Sequence, residues 1–393
     1  MSADAYDVVV VGGGIHGAGI AQAVAAAGHS VLVLEQSSLA AGTSSRSSKL
    51  IHGGLRYLET AQFSLVRECL RERAALLRLA PDLVHRVAFH LPVYRETARR
   101  SWQLRAGLTA YAVLAGMGHD ARFRGLPRRL WDQLDGLETR GLRAVFRYWD
   151  AQTDDAALTR AVMSSAQRLG AELRMPARFT GAELDRDGSD IAYHAGSTEH
   201  SCRARVLVNA AGPWVERVLA AVRPAIAPLP VALIQGTHLI LEGRLCQGIY
   251  YLESPRDQRG IFAMPWQTHL LLGTTEHPYQ GDPGQVHPLE VERSYLLEAL
   301  AHYFPAFRQP DRVQILDGFA GLRVLAEDAD RPFRRARDVR LQTDRARDPR
   351  VLSVYGGKLT AFRATAQRVL ARIAPALPAR PPRANLDQLP LAP

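Results

Sequence analysis

Apolar and polar positions fall into their most regular pattern near the N-terminus. An apolar run begins at Tyr6 and continues through Val8, Val9, Val10 and Val11, which predicts a buried strand over 7–11. Ile15 to Ala27 is built from small residues and ends at Gly28, as a tightly packed helix would, and Val31 to Glu35 forms a second apolar run. Together they make one βαβ unit. Apolar and charged residues recur at helical spacing from Phe63 to Leu79, and Ala156 to Arg168 reads as a further helix. Asp154 and Asp155 stand just before it, where carboxylates cap a helix N-terminus. Four short alternating runs follow: Gln235–Leu241, Gly248–Leu252, Gly260–Trp266 and His269–Thr275. Turn residues separate them, which predicts an antiparallel sheet. From Ala371 the chain is rich in proline (Pro375, Pro378, Pro381, Pro382) and reads as an extended tail.

Composition narrows the possibilities. With 393 residues, 47% hydrophobic and 22% charged, the chain can bury the core of one large or two medium domains. Its three cysteines, Cys69, Cys202 and Cys246, form no CxxC pair, so neither a disulfide framework nor a zinc site is expected, and a reducing compartment fits. No metal cluster is visible. The apolar run starting at Tyr6 leaves no room for a targeting segment, and Ala106–Gly118 falls short of the ~20 apolar residues that span a bilayer. A cytoplasmic location is expected, with peripheral attachment to the inner face of the cell membrane as an option.

Net charge is +10 and the pI about 9.9, which suits nucleic acid, anionic lipid or an acidic metabolite. No nucleic-acid motif accompanies the charge. The segment from Arg99 to Trp131 combines arginines with Trp102, Leu104, Leu108 and Tyr111, a basic amphipathic region suited to a membrane surface or to a solvated helical face. Of the 49 basic residues only Lys49 and Lys358 are lysines.

Gly12, Gly14 and Gly17 form GxGxxG between the first strand and helix, and Glu35 ends the second strand eighteen residues after Gly17. Gly12 permits the tight turn, Gly14 lets a pyrophosphate approach the backbone, and Gly17 lets helix meet strand. Glu35 can accept hydrogen bonds from ribose hydroxyls. This fingerprint serves NAD and FAD alike. Val206 to Trp214, VLVNAAGPW, runs from a strand into a small-residue turn and resembles the second dinucleotide motif of glutathione-reductase-type flavoproteins.

Thr43 to Glu59, TSSRSSKLIHGGLRYLE, closely resembles the signature of the FAD-dependent glycerol-3-phosphate dehydrogenases. Asp154–Asp155, Gly236-Thr237-His238, Leu272-Gly273-Thr274-Thr275 and Gly356-Gly357-Lys358-Leu359-Thr360 follow in that family's order, so the resemblance extends from residue 5 to about 372. Both lysines lie inside these motifs. The resemblance implies α/β plus α+β architecture. A Rossmann-like FAD-binding domain would come from 1–68, 150–222 and 318–372, and an antiparallel-sheet substrate domain from 69–149 and 223–317, with 373–393 as the tail. It implies non-covalent FAD, oxidation of glycerol 3-phosphate or a similar small anion by hydride transfer to flavin N5, and electrons passed to a membrane quinone.

Cofactor contacts are expected from Gly12, Gly14, Ile15, His16, Gly17, Glu35 and Gln36, and from Thr43, Ser44, Ser45, Ser48, Lys49, Leu50, His52, Gly53 and Gly54. A further set comprises Arg178, Phe179, Ala210, Ala211, Gly212, Trp214, Gly321, Arg323, Gly357, Lys358, Leu359 and Thr360. The GGKLT turn would open a helix whose positive end faces the flavin pyrimidine edge. Arg56 and Tyr57, leaving the paired glycines, would reach the phosphate with help from Lys358. Arg323 would stand over the reacting carbon, and His238 would take the hydroxyl proton. His16 and His52 are expected to pack near the cofactor without chemistry.

Three departures from the family pattern stand out. Val324 follows Arg323 where the family prefers proline, Glu276 follows Thr275 in place of aspartate, and the helical C-terminal domain usual in bacterial members is not matched. Oligomeric state is left open. Two other readings remain: an FAD-dependent oxidase of a 2-hydroxy acid or amine that uses Arg323 for a carboxylate and oxygen as acceptor, and a non-catalytic flavin-binding module serving as an interaction platform.

Overall fold

The structure is a computed structural model and describes residues 4–118, 121–309, 313–326 and 339–392. Two sheets organise it, one of nine strands and one of ten. The first strand of the chain, β1 (Asp4–Val11), sits inside the nine-stranded sheet between β2 (Val31–Leu34) and the strand Thr198–Asn209, parallel to both. Strand Val351–Tyr355 pairs in parallel with Thr198–Asn209 on its far edge. Parallel strands buried on both faces explain the unbroken valine run of β1.

Between β1 and β2 runs α1 (Ile15–Ala26), buried at eleven of its twelve positions. A helix apolar all round must be enclosed. Here α4 (Asp155–Arg168) and the helix Phe362–Ile373 enclose it, with Phe362 pressed so close that a Cβ at Gly19 would sit 2.8 Å from its ring. Small side chains on α1 are what let three helices meet.

In the ten-stranded sheet the expected short strands appear at Val231–Leu241, Ile249–Glu253, Gly260–Trp266 and His269–Gly273. Most of the pairing is antiparallel, but Ile249–Glu253 joins the long strand Val84–Tyr94 in parallel, so the sheet is mixed. Strand Ile315–Ala326 runs antiparallel to Val231–Leu241 along its length. The expected boundary at 318 therefore falls inside a strand of the second sheet, because main-chain pairing with a distant partner decides where it belongs. The short strand Leu50–Ile51 likewise pairs with Leu142–Thr153 in that sheet.

Helix α2 (Phe63–Leu79) matches its predicted span. The basic region after Arg99 is not one element, since α3 ends at Leu114 after starting at Ser101. Its buried face carries Leu108, Tyr111 and Ala112, while Trp102 and Val113 point outward. The proline-rich segment departs from the expected extended tail at its start, where the helix runs on to Ile373 and a 3-10 turn follows at Ala374–Ala376; beyond that turn the chain is irregular and is bound to the layer that carries β1 and α1. Arg380 Nε reaches Asp7 at 3.1 Å, Arg383 N donates to Ala26 O at 2.7 Å, and Leu391 is buried. Proline removes donors without preventing arginine side chains and free amides from docking the chain.

Candidate active site

The glycine turn between β1 and α1 is set by close backbone contacts. Gly12 has φ +111°, and a Cβ there would lie 2.7 Å from Ala210 O, so the turn is drawn against the end of a neighbouring strand. A Cβ on Gly17 would come within 1.9 Å of Gly12 O, which no side chain tolerates. Glu35, just beyond β2, is anchored at both oxygens, accepting Gly13 N at 2.7 Å and Ser37 N at 2.8 Å. From the Thr43–Ser45 turn, Ser44 Oγ accepts Ile15 N at 2.9 Å. The first turn of α1 thus faces a polar wall.

This cradle opens into a cavity of about 1030 Å³, at the upper end for a ligand pocket and large enough for a dinucleotide with a small substrate. Gly12, Gly14, Ile15, His16, Glu35 and Gln36 line it, as do Arg178, Phe179, Ala210, Ala211, Gly212 and Trp214. The loop after β2 contributes Thr43, Ser44, Ser48, His52, Gly54, Arg56 and Tyr57, and distant segments add Arg323, Gly357, Lys358 and Leu359. Folding has gathered residues from positions 12 to 359 around one space.

Several expected contacts face elsewhere. Gly17 and Gly321 are spacers: a Cβ on Gly321 would lie 2.5 Å from Arg46 O. Leu50 packs into a hydrophobic cluster, Ser45 donates to Gly42 O at 3.3 Å, and Gly53 N donates to Tyr111 Oη at 2.7 Å. Thr360 Oγ1 accepts His52 N at 3.1 Å, supporting the cavity from behind. Lys49 is buried, donating to Asp155 Oδ1 at 2.6 Å and Ser45 O at 2.9 Å. Local motif membership could not separate these wall-building residues from those whose side chains face the space.

Asp154 does cap α4, accepting Ala157 N at 2.9 Å. Asp155 differs from its neighbour in being fully buried as the partner of Lys49 and Ser47. The two lysines therefore differ in kind. Lys358 follows Gly356 and Gly357, both at positive φ, and its Nζ is buried 3.6 Å from the Tyr57 ring centroid without a hydrogen-bond partner among the described residues.

His238 is 2% exposed and outside the cavity lining. Its Nε2 lies 2.9 Å from the Oγ of Ser48, which does line it. The ring stacks on Phe319, and burial, then Arg323, then Lys49 push its pKa down to about 3, so the imidazole is neutral. His16 is also neutral, its pKa lowered to about 4 by burial and then Arg368, and it packs so tightly that a Cβ on Gly357 would meet its Nε2 at 2.1 Å.

Sequence reasoning overlooked Tyr251, Phe262, Arg99 and Arg259 in the cavity wall, and it noted Glu276 only as a departure. Tyr251 and Phe262 face each other across adjacent strands, ring centroids 5.4 Å apart. Alternation marked both strands, yet nothing local told which face met a cavity.

A dinucleotide fits these residues. The glycine turn lets a pyrophosphate reach backbone amides, Glu35 is fixed where ribose hydroxyls can donate to it, and the remaining volume extends past Ser48 and Lys358. The family model described as FAD dependent oxidoreductase matches residues 7–369. A glycerol-3-phosphate dehydrogenase of Pseudomonas aeruginosa is 40% identical over 378 residues, covering 95% of this chain and 72% of that protein. The aerobic glycerol-3-phosphate dehydrogenase of Escherichia coli is 37% identical, with 94% and 73% covered. Among solved structures, the glycerol-3-phosphate dehydrogenase of Bacillus halodurans complexed with FAD superposes with a TM-score of 0.72 at 26% identity, and this chain covers 64% of its length. Sequence match, fold and glycine cradle agree, and the chain belongs to the FAD-dependent oxidoreductase family.

Proposed function

We propose that the chain oxidises sn-glycerol 3-phosphate to dihydroxyacetone phosphate. The observation that carries this reading is Lys358, an ammonium buried at the cavity wall with an aromatic ring as its neighbour and no hydrogen-bond acceptor among the described residues. Burying a cation is costly unless an anion joins it. A substrate phosphate fills that role, and Arg56 and Tyr57 line the same cavity to share it. Relatives named glycerol-3-phosphate dehydrogenases at 37–40% identity support the substrate.

Bound FAD supplies the acceptor for the hydride lost from C2. His238 receives the hydroxyl proton by way of Ser48, whose Oγ lies between the cavity and the imidazole. Neutral imidazole is the form able to accept, and because burial, Arg323 and Lys49 all disfavour the imidazolium, His238 passes the proton on and does not store it. The test is anaerobic addition of sn-glycerol 3-phosphate to the purified FAD-loaded protein while the flavin absorption is followed. Bleaching is expected. A yellow protein left unbleached by this substrate would exclude it, and bleaching by 2-hydroxy acids or amines instead, with peroxide formed once oxygen is admitted, would establish the oxidase reading.

The electron acceptor is proposed to be a quinone met at a membrane surface. Phe63, Trp102 and Val113 are 50%, 70% and 57% exposed on or beside α3, with Arg105 in the same patch. Clustered exposed apolar side chains edged by arginine suit an anionic lipid interface. No helix among the described residues is long and apolar enough to cross a membrane. Trp102→Ser is expected to weaken binding to vesicles containing anionic lipid by about tenfold, the scale of one lost aromatic burial, while leaving flavin bleaching intact. Equal vesicle binding by both proteins would rule this face out.

A further inference from the structure

Glu276 stands at the cavity wall just after the Thr274–Thr275 pair. Its Oε1 accepts Arg323 Nη1 at 2.8 Å, and its Oε2 lies 3.6 Å from Arg259 Nη1; both arginines line the same cavity. Arg323 also donates to Thr275 O at 3.2 Å. The segment bearing Glu276 is held from behind. Thr275 Oγ1 donates to the buried Glu292 at 2.5 Å and accepts Thr237 N at 2.8 Å, while Glu292 also accepts Thr237 Oγ1 at 2.7 Å. Glu276 is therefore presented to the cavity from an anchored backbone.

We infer that Glu276 is a specificity determinant that sets the Arg323 side of the cavity against carboxylate substrates and in favour of hydroxyl groups. A guanidinium recognises a carboxylate by offering it paired donors, and Arg323 already holds one such carboxylate from the protein itself. A substrate carboxylate brought to Arg323 meets the negative charge of Glu276 at close range, in a partly buried site where screening by water is weak. A substrate hydroxyl meets the reverse situation, since it can donate to Glu276. Lys358 carries no such internal carboxylate among its described contacts, so the same cavity accepts an anion at the lysine and rejects one at Arg323. This inference rests on the proposed polyol-phosphate substrate and explains how a hydroxy acid would be turned away from it.

The test is a titration of the FAD-loaded protein with glycolate, read from the perturbation of the flavin spectrum and hence independent of turnover. Glu276→Gln is expected to bind glycolate about tenfold more tightly than the parent, because repulsion is removed while the side chain keeps its size. Glu276→Asp, which keeps the charge, is expected to stay within about twofold of the parent on the same scale. Glycolate affinity unchanged in Glu276→Gln, or absent from both proteins, would overturn the inference. An equal gain in Glu276→Asp would also overturn it, by showing that space and not charge excludes the acid. Failure of glycerol 3-phosphate to bleach the flavin would instead remove the substrate proposal, and the two results are read separately.

Discussion

Replacing Lys358 with methionine is expected to lower kcat/KM for sn-glycerol 3-phosphate by about 10²- to 10³-fold, the scale seen when one partner of a buried charge pair is truncated. The ammonium sits against the Tyr57 ring, and that cation–π contact offsets only part of what the charge loses on leaving water. Gly356 and Gly357, at φ +74° and +106°, make the turn that delivers the side chain, so the position is imposed by the backbone. Methionine retains the length and apolar stem while removing the charge, and the flavin content separates a loss of substrate binding from a loss of cofactor contact. Steady-state kinetics with flavin content measured in parallel checks this: kcat and KM both within twofold of the parent would show that the phosphate binds elsewhere.

Asp155→Ala is expected to destabilise the protein by about 3–5 kcal/mol, since it leaves the buried Lys49 ammonium without its counter-ion. Asp155 is fully buried and Lys49 is 6% exposed, so water cannot replace the lost partner. The carboxylate also accepts Ser47 N at 3.0 Å and Ser47 Oγ at 2.6 Å, tying the Thr43–Ser48 loop to the start of α4. Lys49 itself has φ +58° and lies over Trp266 and Phe319, so its conformation depends on this surrounding shell. Thermal or denaturant unfolding gives the measurement. The double variant Lys49→Met with Asp155→Leu should recover part of the loss, because an apolar pair tolerates burial where a lone charge does not. A single variant within about 1 kcal/mol of the parent, the size of an ordinary surface change, would show that this pair does not hold the loop.

Lys49 and Lys358 looked alike in the sequence because both stand in motifs shared with flavin dehydrogenases. Structure separates them by their neighbours: one meets a buried carboxylate 106 positions away, the other meets an aromatic ring and open space. His238 shows the same limitation. Its strand was legible from alternation, but only packing revealed that Gly273 abuts the ring, that Phe319 stacks on it and that Ser48 stands between it and the cavity. The Arg323–Glu276 pair joins the strand Ile315–Ala326 to the stretch that follows His269–Gly273, 47 positions away, so neither residue could announce its partner.

What the sequence determined by itself was the βαβ unit, the glycine turn with Glu35, the span of α2, the short strands of the second sheet and the FAD family. These depend on interactions within a turn or two of chain, where apolar periodicity and the steric freedom of glycine act directly. Tertiary structure alone decided which motif residues face the cavity and which build its wall, that Ile315–Ala326 belongs with the second sheet, and that the proline-rich segment docks on the first. Each of those outcomes is a contact between segments far apart in sequence. Its energy depends on burial and on the identity of a partner that no local pattern encodes.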